Sequence, residues 1–294
     1  MKHAVIITAY KDYPMLHRLV QRLDPTFFKP FIHVDLRSAA IGPRELADLK
    51  SLGCTVSKIY RVRWGSFTHL QAILHLMRDA SAVGGFDYFH LISGQDYPVK
   101  TVDEFRRQCD GRIFGLCGPL SDEPAFIKDR YELRDPFAPI LLSAPLPAMG
   151  RLYQAVDRPS RALQRRLGLR RKEFGPYRYL YKGVVWSSFP AWVATRIISD
   201  PVAEQFMKAI RTTIVAEEVF FASYFMNTPE LREIAVNDDL RYTEWSRRHG
   251  ATPPAVLDES DANAVLSSRA LFARKMNSRT SAALLDQIDA RLST

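Results

Sequence analysis

Apolar runs and amphipathic helical patterns alternate along the first third of the chain. Short, almost uninterrupted apolar runs predict four buried strands, which are HAVIITA, KPFIHVDL, residues 54–59 and FDYFHLIS. Between them, the spacing of apolar residues predicts helices at PMLHRLVQRL, PRELADLKSL and residues 68–82. This alternation is typical of a mostly parallel sheet covered by helices on both faces.

The second half of the chain has a less regular pattern. It predicts strands at residues 112–116, 179–187 and 231–236, and helices at residues 192–198, 203–212, 217–227 and 281–292. A Pro- and Arg-rich insertion, residues 119–178, separates the first two of these strands. Because no repeat or composition break marks a linker, we predict one α/β domain over residues 1–294, with parts 1–118, 119–178 and 179–294.

Composition narrows the class of protein. With 294 residues and 47% hydrophobic content, the chain can bury one large core. The apolar start is too short to span a bilayer and lacks a cleavage site, and no other stretch reaches the roughly 18 uncharged residues of a membrane helix. Cys54, Cys109 and Cys117 have neither metal-ligand spacing nor the even number of a disulfide framework. We therefore expect a cytoplasmic protein with three reduced thiols.

The net charge of +9 is concentrated in the basic segment, residues 151–178. Such a segment can bind nucleic acid, anionic lipid or a phosphorylated ligand, but no nucleic-acid-binding motif accompanies it, and nucleic acid is not an expected partner. Leu152, Val156, Leu163 and Leu167 share one helical face with arginines around the rest. One hypothesis is therefore peripheral contact with the inner face of a membrane. The alternative is a solvated helix that covers the sheet.

The residues that follow the predicted strands are the first candidates for a site, because ligands of such sheets bind beyond the carboxyl ends of the strands. The turn AYKDYP has no glycine-rich phosphate fingerprint, which argues against dinucleotide-binding and P-loop enzymes. In LISGQDYPVKT, Gly94 permits close backbone approach and Asp96 places a carboxylate at the mouth of the sheet. The alternative is that Asp96 organises the turn and Thr101 caps a helix.

The segment FHLISGQDYPVKT resembles the signature of the core-2/I-branching enzyme and peptide O-xylosyltransferase family. Further segments resemble family motifs in the family's order, namely FIHVDLRS, WGSFTHLQAIL, KGVVWSSF, EEVFFASYFMN, LRYTEW and LFARKMN. The resemblance implies a GT-A-type fold and an inverting glycosyltransferase with a UDP-sugar donor. The donor sugar would be N-acetylglucosamine first and xylose second, and the acceptor a hydroxyl of a glycan or lipid-linked glycan in bacterial polysaccharide or lipid-glycan assembly.

The resemblance places the general base at Glu218, which matches the Glu of the family's Asp-Glu-x-Phe-Phe segment. An inverting transfer requires a carboxylate within reach of the acceptor hydroxyl. Helical spacing agrees, since Phe221, Ala222 and Phe225 follow on the side expected to pack inward. Glu217 is the competitor, and we expect it to face the surface. The alternative is a protein of the same fold that has lost catalysis and only binds a nucleotide-sugar or a glycan. A missing base would favour this alternative.

The resemblance also implies a metal-independent enzyme without a cofactor, in which basic side chains bind the diphosphate. The sequence has no Asp-x-Asp motif after a strand, and Lys275 matches the family's diphosphate-binding Lys, with Arg274 adjacent. A second family Arg is missing, because the matching stretch GATPPAV contains none. Arg241 is the first substitute, ahead of Arg247 and Arg248. For each of these three, a surface salt bridge is the alternative.

The remaining expected contacts concern the nucleoside and the acceptor. The resemblance implies that Asp35 contacts uridine, that the backbone of residues 8–10, from Thr8 to Tyr10, lines the same pocket and that Ser66 lies beside it. Aromatic side chains would bind the acceptor, and the candidates are Trp186, Tyr242 and Trp245. Asp35 as a turn cap and the aromatic side chains as core residues are the alternatives. His90, within an apolar strand, is expected to be a core residue.

Overall fold

A seven-stranded mixed sheet forms the centre of the fold. The structure, a computed structural model, describes residues 1–135, 137, 148–248 and 253–292, without the side chains of residues 148–151 and 154. The strands lie in the order β10 (Ala235–Val236), β6 (Ile113–Phe114), β9 (Ser188–Pro190), β4 (Tyr88–Ser93), β1 (His3–Ala9), β2 (Phe28–Val34) and β3 (Thr55–Ser57). Only β9 runs antiparallel to its neighbours, β4 and β6, within this sheet of the described chain. The predicted α/β class with a mostly parallel sheet is confirmed.

Helices cover the sheet on both faces. They are α1 (Tyr13–Arg22), α2 (Pro43–Ser51), α3 (Thr68–Val83), α4 (Val102–Gln108), α5 (Ala125–Glu132), α6 (Ala148–Arg166), α7 (Ala191–Ser199), α8 (Pro201–Ala209), α9 (Glu217–Asn227), α10 (Pro229–Glu233), α11 (Ala262–Ser267) and α12 (Ala282–Leu292). Alternate residues of β1 point to opposite faces of the sheet. Val5 and Ile7 pack in one buried cluster with α1 and α12, whereas Ala4 and Ile6 pack in another with α3.

Two small sheets extend the carboxyl-end side of the fold. One has the order β11 (Arg241–Thr243), β12 (Phe272–Arg274) and β5 (Asp96–Pro98), and the other pairs β7 (Gly118–Pro119) with β8 (Tyr181–Lys182). In the first, β12 and β5 are antiparallel, and their register sets Arg274 opposite Asp96. A residue far along the chain is thereby brought to the turn that follows β4.

The second half departs from the predicted elements. The strand predicted over 179–187 is replaced by the two residues of β8 and, after a short gap, by β9. The strand predicted over 231–236 is reduced to β10, because Pro229 at the first helical position starts α10 instead. Residues 250–252 of the stretch GATPPAV lie outside the described residues. Among the helices of the described ranges, none combines the length and the apolar character that a membrane crossing demands.

Candidate active site

The ends of β1, α3 and α9 meet through a chain of polar contacts. The Thr8 hydroxyl at the end of β1 lies 3.3 Å from Nε2 of His69, near the start of α3. Nδ1 of His69 lies 2.9 Å from Oε1 of Glu217, the first residue of α9. Glu217 is only 6% exposed. The expectation that it faces the surface is therefore wrong, because the first turn of α9 packs into the protein body.

Glu218 occupies a different environment from Glu217. Its side chain is 29% exposed, and its Oε2 lies 3.6 Å from Nζ of Lys182. The hydroxyl of Tyr131 donates to the same oxygen at 3.3 Å. Partial burial raises the pKa of Glu218 above its usual value, Lys182 opposes this shift and the charge of Glu217 adds to it. A reachable carboxylate with a raised pKa has the properties of a proton acceptor.

Two glycines fix the position of the first turn of α9. The N–H of Gly183, beside Lys182, donates to the Glu218 carbonyl at 2.9 Å, and a Cβ on Gly183 would lie 1.7 Å from the Leu116 carbonyl oxygen. Gly65 has a φ of +78°, its carbonyl accepts from Val215 N–H at 3.0 Å, and a Cβ there would lie 2.7 Å from Ile214. Only glycine permits both close approaches. The glycines of the KGVVW and WGS segments therefore hold Lys182 and Glu218 together.

Arg274 is buried and joins this region through the rings of Trp186 and His69. Its Nε lies 3.0 Å from Oδ1 of Asp96, and its guanidinium lies over the Trp186 ring, 4.3 Å from the centroid. The Trp186 ring contacts His69 edge-on at 6.4 Å. Asp96 is fully buried and also accepts from the N–H and the hydroxyl of Ser93. Asp96 thus orients Arg274, and its own carboxylate does not face a ligand-accessible space.

Cations cluster beside Arg274. Burial lowers the pKa of Lys275, and the charges of Arg274 and Lys11 lower it further. The charge of Asp96 opposes this lowering, and an anion beside Lys275 would oppose it further. Sequence reasoning missed Lys11, although its position directly after β1 in AYKDYP marked it as a residue at the mouth of the sheet.

Arg241 is not available to a diphosphate, and the prediction that ranked it first is wrong. Its buried guanidinium donates to the carbonyls of Leu91 at 3.0 Å and Ser187 at 3.1 Å, to the Ser188 hydroxyl at 2.8 Å and to the Asp239 carbonyl. Burial lowers its pKa to about 10. This side chain ties β11 to β4 and β9.

Arg248 and Arg247, the other two candidates for the second diphosphate contact, have different surroundings. Arg248 forms a bidentate pair with Asp261, at 2.6 and 2.7 Å, so it stabilises its own loop. Arg247 is exposed. The second diphosphate contact that the resemblance implies is therefore supplied neither by Arg241 nor by Arg248.

The expected donor-pocket residues are distributed over several environments. The Asp35 carboxylate is buried and receives the Arg37 guanidinium at 2.8 Å and the Arg37 N–H at 2.9 Å, which is the turn-stabilising role that was its alternative. Ser66 is also buried, and its hydroxyl donates to the Arg63 carbonyl at 2.7 Å. Tyr10 is exposed at the end of β1. Asp35 and Ser66 therefore shape the loops beside Thr8 rather than present free groups.

The expected acceptor residues are also divided. Trp186 packs against the Arg274 guanidinium. Tyr242 is half-buried and packs against the core, whereas Trp245 is exposed. Within the described residues, the cluster with metal-ligand spacing is His3, His90 and Cys109, which lies buried in the core and includes none of the site residues. His90 is a core residue, as expected.

The α/β fold thus presents a partly exposed carboxylate, Glu218, and places Arg274 and Lys275 at the end of β12. The sequence profile of the core-2/I-branching enzyme family matches residues 4–265. The chain belongs to this family.

Comparison with other proteins adds distant similarities. A search of curated proteins returned no match. Among solved structures, S. aureus TarS is 14% identical, with 40% of this chain and 21% of that chain covered and a TM-score of 0.30. The complex of S. aureus TarS 1-349 with UDP-GlcNAc is 14% identical over 48% of this chain and 42% of that one, with a TM-score of 0.29. This chain thus spans less than half the length of these structures, and likeness at this level assigns nothing to it.

Proposed function

We propose that the enzyme transfers a sugar from a UDP-sugar, with inversion, to a hydroxyl of a glycan or lipid-linked glycan. N-acetylglucosamine is the first donor sugar to test and xylose the second. The observation that carries the proposal is Glu218, a partly exposed carboxylate with a raised pKa held between Lys182 and Tyr131. Family membership supports sugar transfer, and the cations beside Arg274 support a donor that carries a diphosphate.

The proposed chemistry is a single displacement. The acceptor hydroxyl gives its proton to Glu218 as its oxygen forms a bond to the anomeric carbon. The bond between that carbon and the UDP oxygen breaks, and UDP leaves with the electron pair. Lys11, Arg274 and Lys275 supply positive charge for the departing diphosphate. Preorganised cations can fill the role that a divalent metal has in other transferases, so we propose that the reaction is independent of metal.

UDP release measured over a panel of UDP-sugars with EDTA present tests this proposal. We expect release with one donor sugar in EDTA, and a Glu218→Gln variant about 10²- to 10⁴-fold slower. Glu204→Gln, on the exposed surface of α8, is the matched control and should retain full activity. Activity that EDTA abolishes and manganese restores would overturn the metal-free mechanism. Full activity of Glu218→Gln would overturn the base, and donor binding without turnover would favour the inactive binding protein.

A further inference from the structure

The helix α6 packs with its polar side inward. The Tyr153 hydroxyl donates to the Asp135 carboxylate, and the buried Arg161 pairs with Asp135 at 3.1 Å and with Asp157 at 2.6 Å. Arg161 also donates to the Asp129 carbonyl at 2.8 Å. A surface helix of a soluble protein normally does the opposite and buries its apolar side. The inward side of α6 is therefore secured by charges and hydrogen bonds.

The outward side of α6 and the turn after it carry leucines. We call them the leucine stripe, which consists of Leu152, Leu163, Leu167 and Leu169, each between 48% and 59% exposed. The spacing of the first three places them on one side of the helix axis. Isolated exposed leucines are ordinary, but an aligned set on one element indicates an interaction surface.

A basic groove of about 790 Å³ adjoins the leucine stripe at Leu169. Among the residues that the structure describes, its lining includes Arg134, Arg170, Arg171 and Lys172 and one acidic residue, Glu173. Arg170 is held by Asp129 at 2.7 Å and Glu132 at 2.6 Å, and Arg171 by the Thr213 hydroxyl at 2.6 Å. These two guanidiniums are held by the protein's own groups, and Arg134 and Lys172 complete the basic lining.

The charge balance of the groove favours an anionic occupant. Burial, together with the neighbouring charges of Arg134 and Arg161, lowers the pKa of Arg171 to about 10. An anion in the groove would offset this repulsion. Not every arginine of the basic segment faces outward, because Arg161 and Arg171 are bound to the protein itself.

We propose that the leucine stripe and the basic groove dock the enzyme on an anionic membrane, with the leucines among the acyl chains and a lipid phosphate in the groove. Apolar side chains beside fixed cations match the two layers of a bilayer surface, which are hydrocarbon and phosphate. The docking does not depend on the proposed transfer, although it would present a lipid-linked acceptor to the site.

The basic groove is connected to Glu218, the proposed base, through Arg171 and Tyr131. Arg171 donates to the carbonyl of Tyr131, and the hydroxyl of that same tyrosine donates to Glu218. Thr213, the other partner of Arg171, precedes α9 by four residues. A headgroup in the groove therefore lies against the residues that position the base.

Co-sedimentation of the full chain with phosphatidylcholine vesicles, with and without phosphatidylglycerol, tests the docking. We expect binding only to the anionic vesicles and a decrease with added salt. Leu167→Gln/Leu169→Gln should weaken binding about tenfold or more, because two apolar side chains no longer enter the acyl region. Arg134→Gln/Lys172→Gln should weaken it by a similar factor through lost phosphate attraction.

A control variant separates docking from a general loss of charge or apolar surface. Lys50→Gln/Leu52→Gln, on and next to α2 at the edge strand β3, removes one positive charge and one exposed leucine elsewhere and should bind like the unaltered enzyme. All variants should keep their circular dichroism and their UDP release with a soluble acceptor. Absence of binding to anionic vesicles overturns the docking, as does equal weakening by the control. Binding of inorganic phosphate alone, with vesicle binding insensitive to the leucine changes, would instead show a free-anion site.

Discussion

At the scale of single residues, two adjacent glutamates at the start of α9 have separate roles. Glu218 must be deprotonated to accept a proton, so kcat/KM should fall as the pH falls through its raised pKa. Glu217→Gln removes a neighbouring negative charge but keeps an oxygen for His69. We therefore expect the acid limb of the kcat/KM profile to move to lower pH, by up to about one unit. An acid limb that stays in place would show that Glu218 is not the titrating group.

His69 is the hydrogen-bonding partner of the buried Glu217. Among the described residues, Oε2 of Glu217 has no hydrogen-bond partner, so Oε1 with His69 carries the stabilisation. His69→Leu should lower the free energy of unfolding by about 1–3 kcal/mol, since it leaves a buried carboxylate unpaired. Urea denaturation of His69→Leu, Glu217→Leu and the double variant checks this. The double variant should lose less than the sum of the single losses, and strict additivity would show that the two side chains do not interact.

At the scale of elements, the close approach of β8 to the chain before β7 depends on Gly183. Gly183→Ala places a Cβ 1.7 Å from a backbone carbonyl, which cannot move as a flexible side chain does. We expect a loss of about 1–3 kcal/mol in the free energy of unfolding and a large loss of UDP release, because Lys182 and Glu218 are displaced together. Gly118→Ala, whose Cβ would meet Lys182 at an ordinary 3.8 Å, is the control in the same strand pair. Equal effects of the two changes would contradict this account.

The elements also show where sequence reasoning reaches its limit. The apolar runs of β1, β2 and β4 are long, so their periodicity predicts them well. The strands of the second half have two or three residues, too few for a period to appear. α9 is buried on almost every side, so the spacing that indicated Glu218 could not show that Glu217 is more buried. The pairing of Arg274 with Asp96 depends on strand register between distant segments, which no local pattern encodes.

At the scale of the whole molecule, a buried hydrogen-bonded chain joins the small sheet to the start of β1. Arg241 donates to the Ser188 hydroxyl at 2.8 Å, and that hydroxyl lies 2.7 Å from Nδ1 of His90. Nε2 of His90 lies 2.9 Å from Nδ1 of His3. Burial lowers the pKa of both imidazoles, and the positive charge of Arg241 lowers that of His90 further.

The two buried histidines, His3 and His90, predict that acid destabilises the fold at pH values where most carboxylates are still ionised. Burial lowers the pKa of His3 to about 3 and that of His90 further below its usual value, so the unfolded state binds more protons below about pH 6.5. Stability should fall as the pH falls from about 6.5 towards 3, by up to about 1.4 kcal/mol per pH unit for each histidine. His3 packs among Phe27, Phe28 and Tyr88, so His3→Phe keeps the packing. Denaturation at successive pH values should show that this variant reduces the slope of the free energy of unfolding against pH by the equivalent of about one proton. His75→Gln on the half-buried side of α3 is the control. An unchanged slope in His3→Phe would mean that His3 does not take up a proton on unfolding, which would contradict this account.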